Sequence, residues 1–138
     1  MTGLAILCAV VVLTVVAGLV HQQRSGTLRA TSADDSLRPV LTELGAAPGT
    51  RATLLQFSSA FCAPCRATRR ILTEVSEMVD GVAHVEVDAE RHLDLVRKLN
   101  ILKTPTTLVL DGDQREVQRA SGQPRKADVL AALGKALP

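Results

Sequence analysis

Tryptophan and tyrosine are absent and phenylalanine occurs twice in 138 residues, so any core this chain builds is aliphatic. A surplus of charge is missing as well, since 16 Lys and Arg against 14 Asp and Glu leave a net +2. That balance supplies no concentrated basic face and argues against nucleic acid or another polyanion as a partner. Cysteine is sparse, at three residues, and only Cys62 and Cys65 lie close together. Zinc needs about four ligands, and with His84 and His92 in separate segments there is no second close Cys/His pair, so no metal site is expected. Neither an internal repeat nor a low-complexity tract is present. The length suits one domain with one core. Within this composition both phenylalanines, Phe57 and Phe61, stand beside the close cysteine pair, a coincidence that points to a site.

Charged side chains are missing altogether from residues 1–20. Leu4–Val20 reads LAILCAVVVLTVVAGLV, at the short end of the ~17–25 residues that span a bilayer as a helix, and it is read as a single-pass membrane anchor. A cleaved secretory signal competes with that reading through a cleavage position after Ala17, although Met1 and Thr2 supply no positive n-region and the apolar run is longer than a usual h-region. Cys8 lies inside the run and is expected to be an inert lipid-facing or helix-packing residue. His21, Arg24 and Arg29 follow the run, whereas only the α-amino group precedes it. The positive-inside rule then places the C-terminal part in the cytoplasm, with the extracytoplasmic side as the alternative. Residues 21–36 are polar and aperiodic and read as a tether, which leaves residues 37–138 as the folded domain.

Ala52–Phe57 is a short apolar run expected to form a strand buried on both faces, followed by a small-residue turn, Ser58, Ser59 and Ala60. Beyond the cysteines, Ala67, Ile71, Val75 and Met78 with Leu72 and Val79 mark one face of the strongest helix, which Asp80-Gly81 stops. Val82–Val87 reads as the next strand, and Leu95, Val96 and Leu99 as a short helix ending near Asn100. Thr106–Leu110 and Arg115–Ala120 flank Asp111-Gly112-Asp113-Gln114, a hairpin with Gly in the turn. Gln123-Pro124 introduces a last helix striped by Val129, Leu130, Leu133 and Leu137. The order β, α, β, α, β, β, α predicts an α/β sheet that is partly parallel and ends in an antiparallel hairpin.

Cys62-Ala63-Pro64-Cys65 falls between the buried strand and the start of that strongest helix, a setting in which CxxC reads as a redox pair. Two cysteines so spaced at a helix N-terminus can approach within disulfide distance, and the unpaired N–H groups and helix dipole favour a thiolate on the first sulfur. Cys62 is therefore the expected nucleophile and Cys65 the resolving thiol. Pro64 suits the first turn because its missing N–H is not needed there. Arg66 adds positive potential, while Arg69 and Arg70 read as a solvated face.

The segment Phe57–Arg66, FSSAFCAPCR, resembles the active-site segment of the thioredoxin family, with Phe61 in place of the usual Trp, Ala63 of Gly and Arg66 of Lys. Leu102-Lys103-Thr104-Pro105-Thr106 resembles the family's cis-proline loop and Gly122 the glycine after its last strand, with matching spacing from about residue 38 onward. Together with the apolar N-terminal segment, the chain resembles a membrane-anchored thioredoxin-like protein of bacterial type. The resemblance implies a thioredoxin fold, an α/β architecture with a central mixed sheet flanked by helices and here preceded by one transmembrane helix. It implies no cofactor beyond a redox-active Cys62–Cys65 disulfide. The implied partners are a protein or small-thiol disulfide substrate, an electron donor or acceptor, and the membrane through residues 4–20. An X-Pro bond is ordinarily trans. The resemblance implies a cis Thr104–Pro105 bond that presents the Thr104 backbone to an extended substrate.

One departure bears on mechanism. Thioredoxins usually carry a buried Asp six residues before the first Cys, thought to relay a proton to or from the second thiol, and here that position is Gln56. An amide cannot exchange a proton in that role. The partner position on the next strand, commonly Lys, is His84, so the resemblance implies that Gln56 and His84 are neighbours beneath Cys65. Two roles stand open for His84: acid/base for Cys65, directly or through water, or a buried histidine satisfied by Gln56 or Glu86. The leading reading of the whole chain is a membrane-anchored thiol–disulfide oxidoreductase, with reduction favoured if the domain is cytoplasmic. A non-catalytic thioredoxin-fold adaptor at the membrane and a peroxide- or sulfur-handling thiol protein are the alternatives. The presence of both cysteines and the Thr-Pro weighs against the first, and the lack of a further cysteine in the domain against the second.

Overall fold

The computed structural model describes residues 2–24, 26–30 and 35–138. In chain order the elements are α1 (Thr2–Arg24), β1 (Leu28–Ala30), α2 (Arg38–Glu43), β2 (Ala52–Ser58), α3 (Ala63–Met78), β3 (Val82–Asp88), α4 (Leu93–Lys98), β4 (Thr106–Leu110), β5 (Glu116–Ser121) and α5 (Lys126–Ala136). The strands form one sheet in the order β1-β5-β4-β2-β3. β2 runs parallel to β3, and the other neighbours are antiparallel. This is the mixed sheet with a terminal hairpin that the element order implies.

Side-chain alternation along the strands divides the interior into two layers. Leu55 and Phe57 of β2 with Leu108 and Leu110 of β4 meet Val40 and Leu41 of α2 and Ile101 on one side. Leu54 of β2 and Val109 of β4 meet Leu72 and Val75 of α3 and Val129 and Leu133 of α5 on the other. Phe57 is the one aromatic ring in either layer, so the interior is aliphatic as the composition requires. Burial of each such Leu or Phe stabilises the fold by roughly 1.5–3 kcal/mol.

The inward face of α3 differs from the expected one. Its buried positions are Cys65, Thr68, Leu72 and Val75, and Met78 is 59% exposed. The face is set by the need to put Cys65 against β2, which turns Met78 outward by the end of the helix. Gly81, at φ 79°, follows as the expected stop. In the β4–β5 hairpin the left-handed residue is Gln114, at φ 63°, not Gly112. Gln114 is fully buried; Thr53 Oγ1 donates to its Oε1 at 2.7 Å, and its Nε2 donates to the Gly49 carbonyl at 3.2 Å. That tie anchors the turn to the start of β2.

Two elements lie where no periodicity announced them. The six-residue α2 places Val40 and Leu41 in the core. The expectation of a tether over residues 21–36 is corrected in part, because α1 extends through Arg24 and Leu28–Ala30 pairs with Ala120–Gln118 of β5 as an edge strand. Ser36 bridges to Arg115. Residues 25 and 31–34 of that segment lie outside the described residues. Three residues are too few to show a strand period, and only the open edge of β5 makes them one. Within α1, Gly3–His21 is long and apolar enough to cross a membrane and no part of it is buried in the fold, a character shared by membrane spans and secretory signals. Cys8 is exposed on this helix as a free thiol.

Candidate active site

β2 ends against a sharp turn that hands the chain to α3. Phe61 occupies the left-handed region at φ 56°, costly for a residue with a Cβ, and its ring is wholly exposed. Phe57, seven-residue β2's buried ring, takes no part in the site surface. Cys62 is the N-cap of α3, and its sulfur accepts a hydrogen bond from the Cys65 N–H at 3.2 Å. Pro64 sits in the first turn, which contains no acidic residue to oppose a negative sulfur. Cys62 and Cys65 are joined by a disulfide with the sulfurs 2.03 Å apart. The pair is asymmetric: Cys65 is 2% exposed and packed on the sheet, whereas Cys62 is only half-buried. Arg66 follows at the exposed rim.

Beneath Cys65 lies Gln56, fully buried on β2. Its Nε2 donates to the Cys65 carbonyl at 3.0 Å and to Ser58 Oγ at 2.9 Å. A carbonyl only accepts, so the amide nitrogen must be on that side and Oε1 must face His84 Nε2, 2.9 Å away. His84 Nε2 therefore donates, and in the neutral ring Nδ1 accepts from the Thr73 hydroxyl at 3.2 Å. Burial holds the His84 imidazole below its ordinary pKa; the Glu86 carboxylate pulls it up and Arg69 pushes it further down. Burial also pushes the Glu86 carboxyl up, but hydrogen bonds from Arg69 and Ser58 and the charges of Arg69 and His84 together outweigh it, leaving its pKa low. Arg69, expected only to be solvated, donates to Glu86 through Nε at 2.6 Å and Nη2 at 2.8 Å. The chain of bonds from His84 passes through Gln56 and ends on the Cys65 carbonyl, not on its sulfur.

The Thr104–Pro105 bond is cis. Ser59, before the cysteines, and Thr104 share a hydroxyl hydrogen bond at 2.8 Å, which ties this loop to the CxxC turn. Gly122 donates its N–H to the Pro105 carbonyl at 2.7 Å. Pro64, Thr104, Pro105 and Gly122 line one groove of about 870 Å³, and Gly26 and Thr27 close part of it.

Cys62, Cys65, Pro64, Gln56, His84, Thr104 and Pro105 thus gather at the C-terminal end of β2, with Phe61 and Arg66 at the rim. Ser59, Thr73 and the groove residues Gly26 and Thr27 escape a sequence reading, because a lone hydroxyl or a Gly-Thr in a polar stretch carries no sign of its distant partner. Thr107 escapes it too: it faces Gln56 across the β2–β4 ladder, and its buried hydroxyl has no hydrogen-bond partner among the described residues.

A family model described as Thioredoxin matches residues 45–135. The thioredoxin Asp f 28 of Aspergillus fumigatus is 29% identical over 78 residues, which cover 56% of this chain and 72% of that one. Among solved structures, reduced thioredoxin pre-protein of Schistosoma mansoni superposes with a TM-score of 0.58 at 23% identity, over 73% of this chain and 90% of that one. Thioredoxin NaTrxh of Nicotiana alata gives 0.60 at 20% identity, over 78% of this chain and 99% of that one. At those identities the structures establish the fold, while the family model spans most of the chain and includes the CxxC, the cis-proline loop and the last helix. The chain belongs to the thioredoxin family, and its Cys62–Cys65 pair equips it for thiol–disulfide exchange.

Proposed function

We propose that this chain is a membrane-anchored protein-disulfide reductase in which Cys62 is the nucleophile and Cys65 the resolving thiol. The observation that carries the reading is the asymmetry of the pair, with Cys65 sealed against Gln56 and Cys62 open at the N-terminus of α3. In the reduced form the helix terminus stabilises a thiolate on Cys62. That thiolate attacks one sulfur of a substrate disulfide; the substrate S–S bond breaks, and the leaving sulfur takes up a proton. Cys65 then gives up its proton and attacks Cys62 Sγ, which frees the second substrate thiol and closes the Cys62–Cys65 bond. Two electrons pass to the substrate, and a dithiol donor returns them to the pair.

The surrounding residues take supporting parts. The groove along Thr104 and Pro105 receives an extended segment of the substrate, and exposed Phe61 offers it apolar contact. Arg66 adds positive potential near the reacting sulfurs. Gln56 positions the Cys65 backbone, and His84 orients Gln56. Leu4–Val20 inserts in the bilayer, and Arg24 and Arg29 on its downstream side favour a cytoplasmic domain, where reduction is the expected direction.

With the full chain in detergent and dithiothreitol as donor, insulin reduction is expected to accelerate, and Cys62→Ser to return it to the uncatalysed rate; equal rates for the two proteins would refute the assignment. His84→Ala is expected to lower stability by about 1–2 kcal/mol through the lost buried hydrogen bonds while the pH profile of insulin reduction keeps its shape. Disappearance of an inflection from that profile would instead make His84 the acid/base. The folded state holds His84 below its unfolded pKa, so the unfolded chain binds its proton more readily. The stability contributed by neutral His84 is complete above about pH 6.5 and declines on acidification through the folded value, a slope that His84→Ala removes. For sidedness, Cys62 in intact reductant-treated cells should resist a membrane-impermeant maleimide until lysis, and labelling without lysis would contradict the cytoplasmic placement.

A further inference from the structure

The segment that leaves the apolar helix does not run free. Gly26 donates its N–H to the Ser121 carbonyl at 2.7 Å, and Leu28, Arg29 and Ala30 pair with Ala120, Arg119 and Gln118. Leu28 also packs on the core layer shared by α3 and α5. The fit at Gly26 admits only glycine, since its φ is +84° and a Cβ there would stand 1.9 Å from the Gln123 carbonyl oxygen. The docked residues Gly26 and Thr27 form one wall of the groove whose other walls include Pro64, Thr104 and Pro105. In sequence Gly26 is two peptide steps beyond Arg24, the last residue of α1. Two residues reach at most ~7 Å. Had residues 21–36 been a free coil, their root-mean-square span would have been about 20–24 Å.

Resting on the membrane-anchored reductase reading above, we propose that the docked juxtamembrane strand holds the redox groove against the bilayer surface. Its substrates are disulfides in the membrane-proximal segments of other membrane proteins, within about 15 Å of the headgroups. Only residues 21–25 separate the apolar run from the groove wall, and four of those five continue α1, so the groove cannot move far from the surface unless β1 leaves the sheet. A substrate segment held at the same surface meets Cys62 at a high effective concentration, whereas a disulfide carried far from the bilayer does not. The exchange itself is the one already given, in which the Cys62–Cys65 dithiol supplies two electrons and ends as a disulfide.

The test places the full chain in phosphatidylcholine vesicles with dithiothreitol as donor and two lipid-anchored fluorogenic disulfide peptides as probes. One carries its disulfide three residues from the lipid and the other beyond a forty-residue Gly-Ser spacer. The native chain is expected to reduce the near probe at least about tenfold faster than the far one. Insertion of twenty Gly-Ser residues between Arg24 and Ser25 leaves the docked strand and the groove intact. It should bring the two rates within about twofold while leaving reduction of dissolved insulin unchanged. Equal rates on both probes for the native chain, or an undiminished preference in the extended chain, would overturn the proposal. A native chain that fails to float with the vesicles, or that fails to reduce dissolved insulin, overturns the underlying reading and the proposal with it, and each of those failures is read separately from the probe ratio.

Discussion

Every residue of β2 is buried, and the strand is hydrogen-bonded on both sides, to β3 and to β4. Such a strand cannot shift register without breaking two ladders and moving Leu55 and Phe57 out of their layer. Its last residue is therefore held in one place, and the turn that follows delivers the CxxC segment to the cis-proline loop before β4, where Pro64 shares a groove with Thr104 and Pro105. The Ser59–Thr104 hydroxyl bond closes that arrangement from the loop side. Burying an amide in the same strand costs several kcal/mol unless it is hydrogen-bonded. Gln56 meets that demand by bonding to Ser58 on β2, Cys65 on α3 and His84 on β3, so one side chain locks three elements under the reactive pair.

This lock also explains the division of labour between the sulfurs. Cys65 must face the sheet for its carbonyl to meet Gln56, which buries its sulfur and leaves Cys62 at the open helix end. An amide at position 56 carries no proton for the exchange, and the imidazole beyond it is held below its ordinary pKa by burial, with its Nε2 committed to the amide oxygen. On the proposed reading the network positions Cys65 and does not carry its proton. The charges that act on His84 are those of the Arg69–Glu86 pair between α3 and β3.

Much of this was legible in the sequence. The apolar run of β2, the small-residue turn, CAPC and the amphipathic α3 are contiguous, so local pattern suffices to place Cys62 at a helix N-terminus. The Thr104–Pro105 loop and the Gln56–His84 neighbourhood required the family resemblance, because no local pattern marks a cis bond or a contact between strands. What stayed hidden depends on long-range fit. Leu28–Ala30 becomes a strand only because β5 has an edge to offer, and α2 only because the sheet leaves a face for Val40 and Leu41. Gln114 takes a left-handed turn position because Thr53 and Gly49 satisfy its amide there. The scarcity of aromatic rings, visible at once, proved consistent with a two-layer aliphatic interior and an exposed Phe61.

The central claim is that the two site cysteines differ in access, with Cys62 presented and Cys65 sealed. Brief alkylation of the reduced, folded full chain, followed by peptide mass mapping, measures this directly. The account expects modification of Cys62 to outpace that of Cys65 by at least about tenfold, with Cys65 becoming equally reactive only on denaturation. Equal labelling of the two in the folded protein, or faster labelling of Cys65, would contradict it.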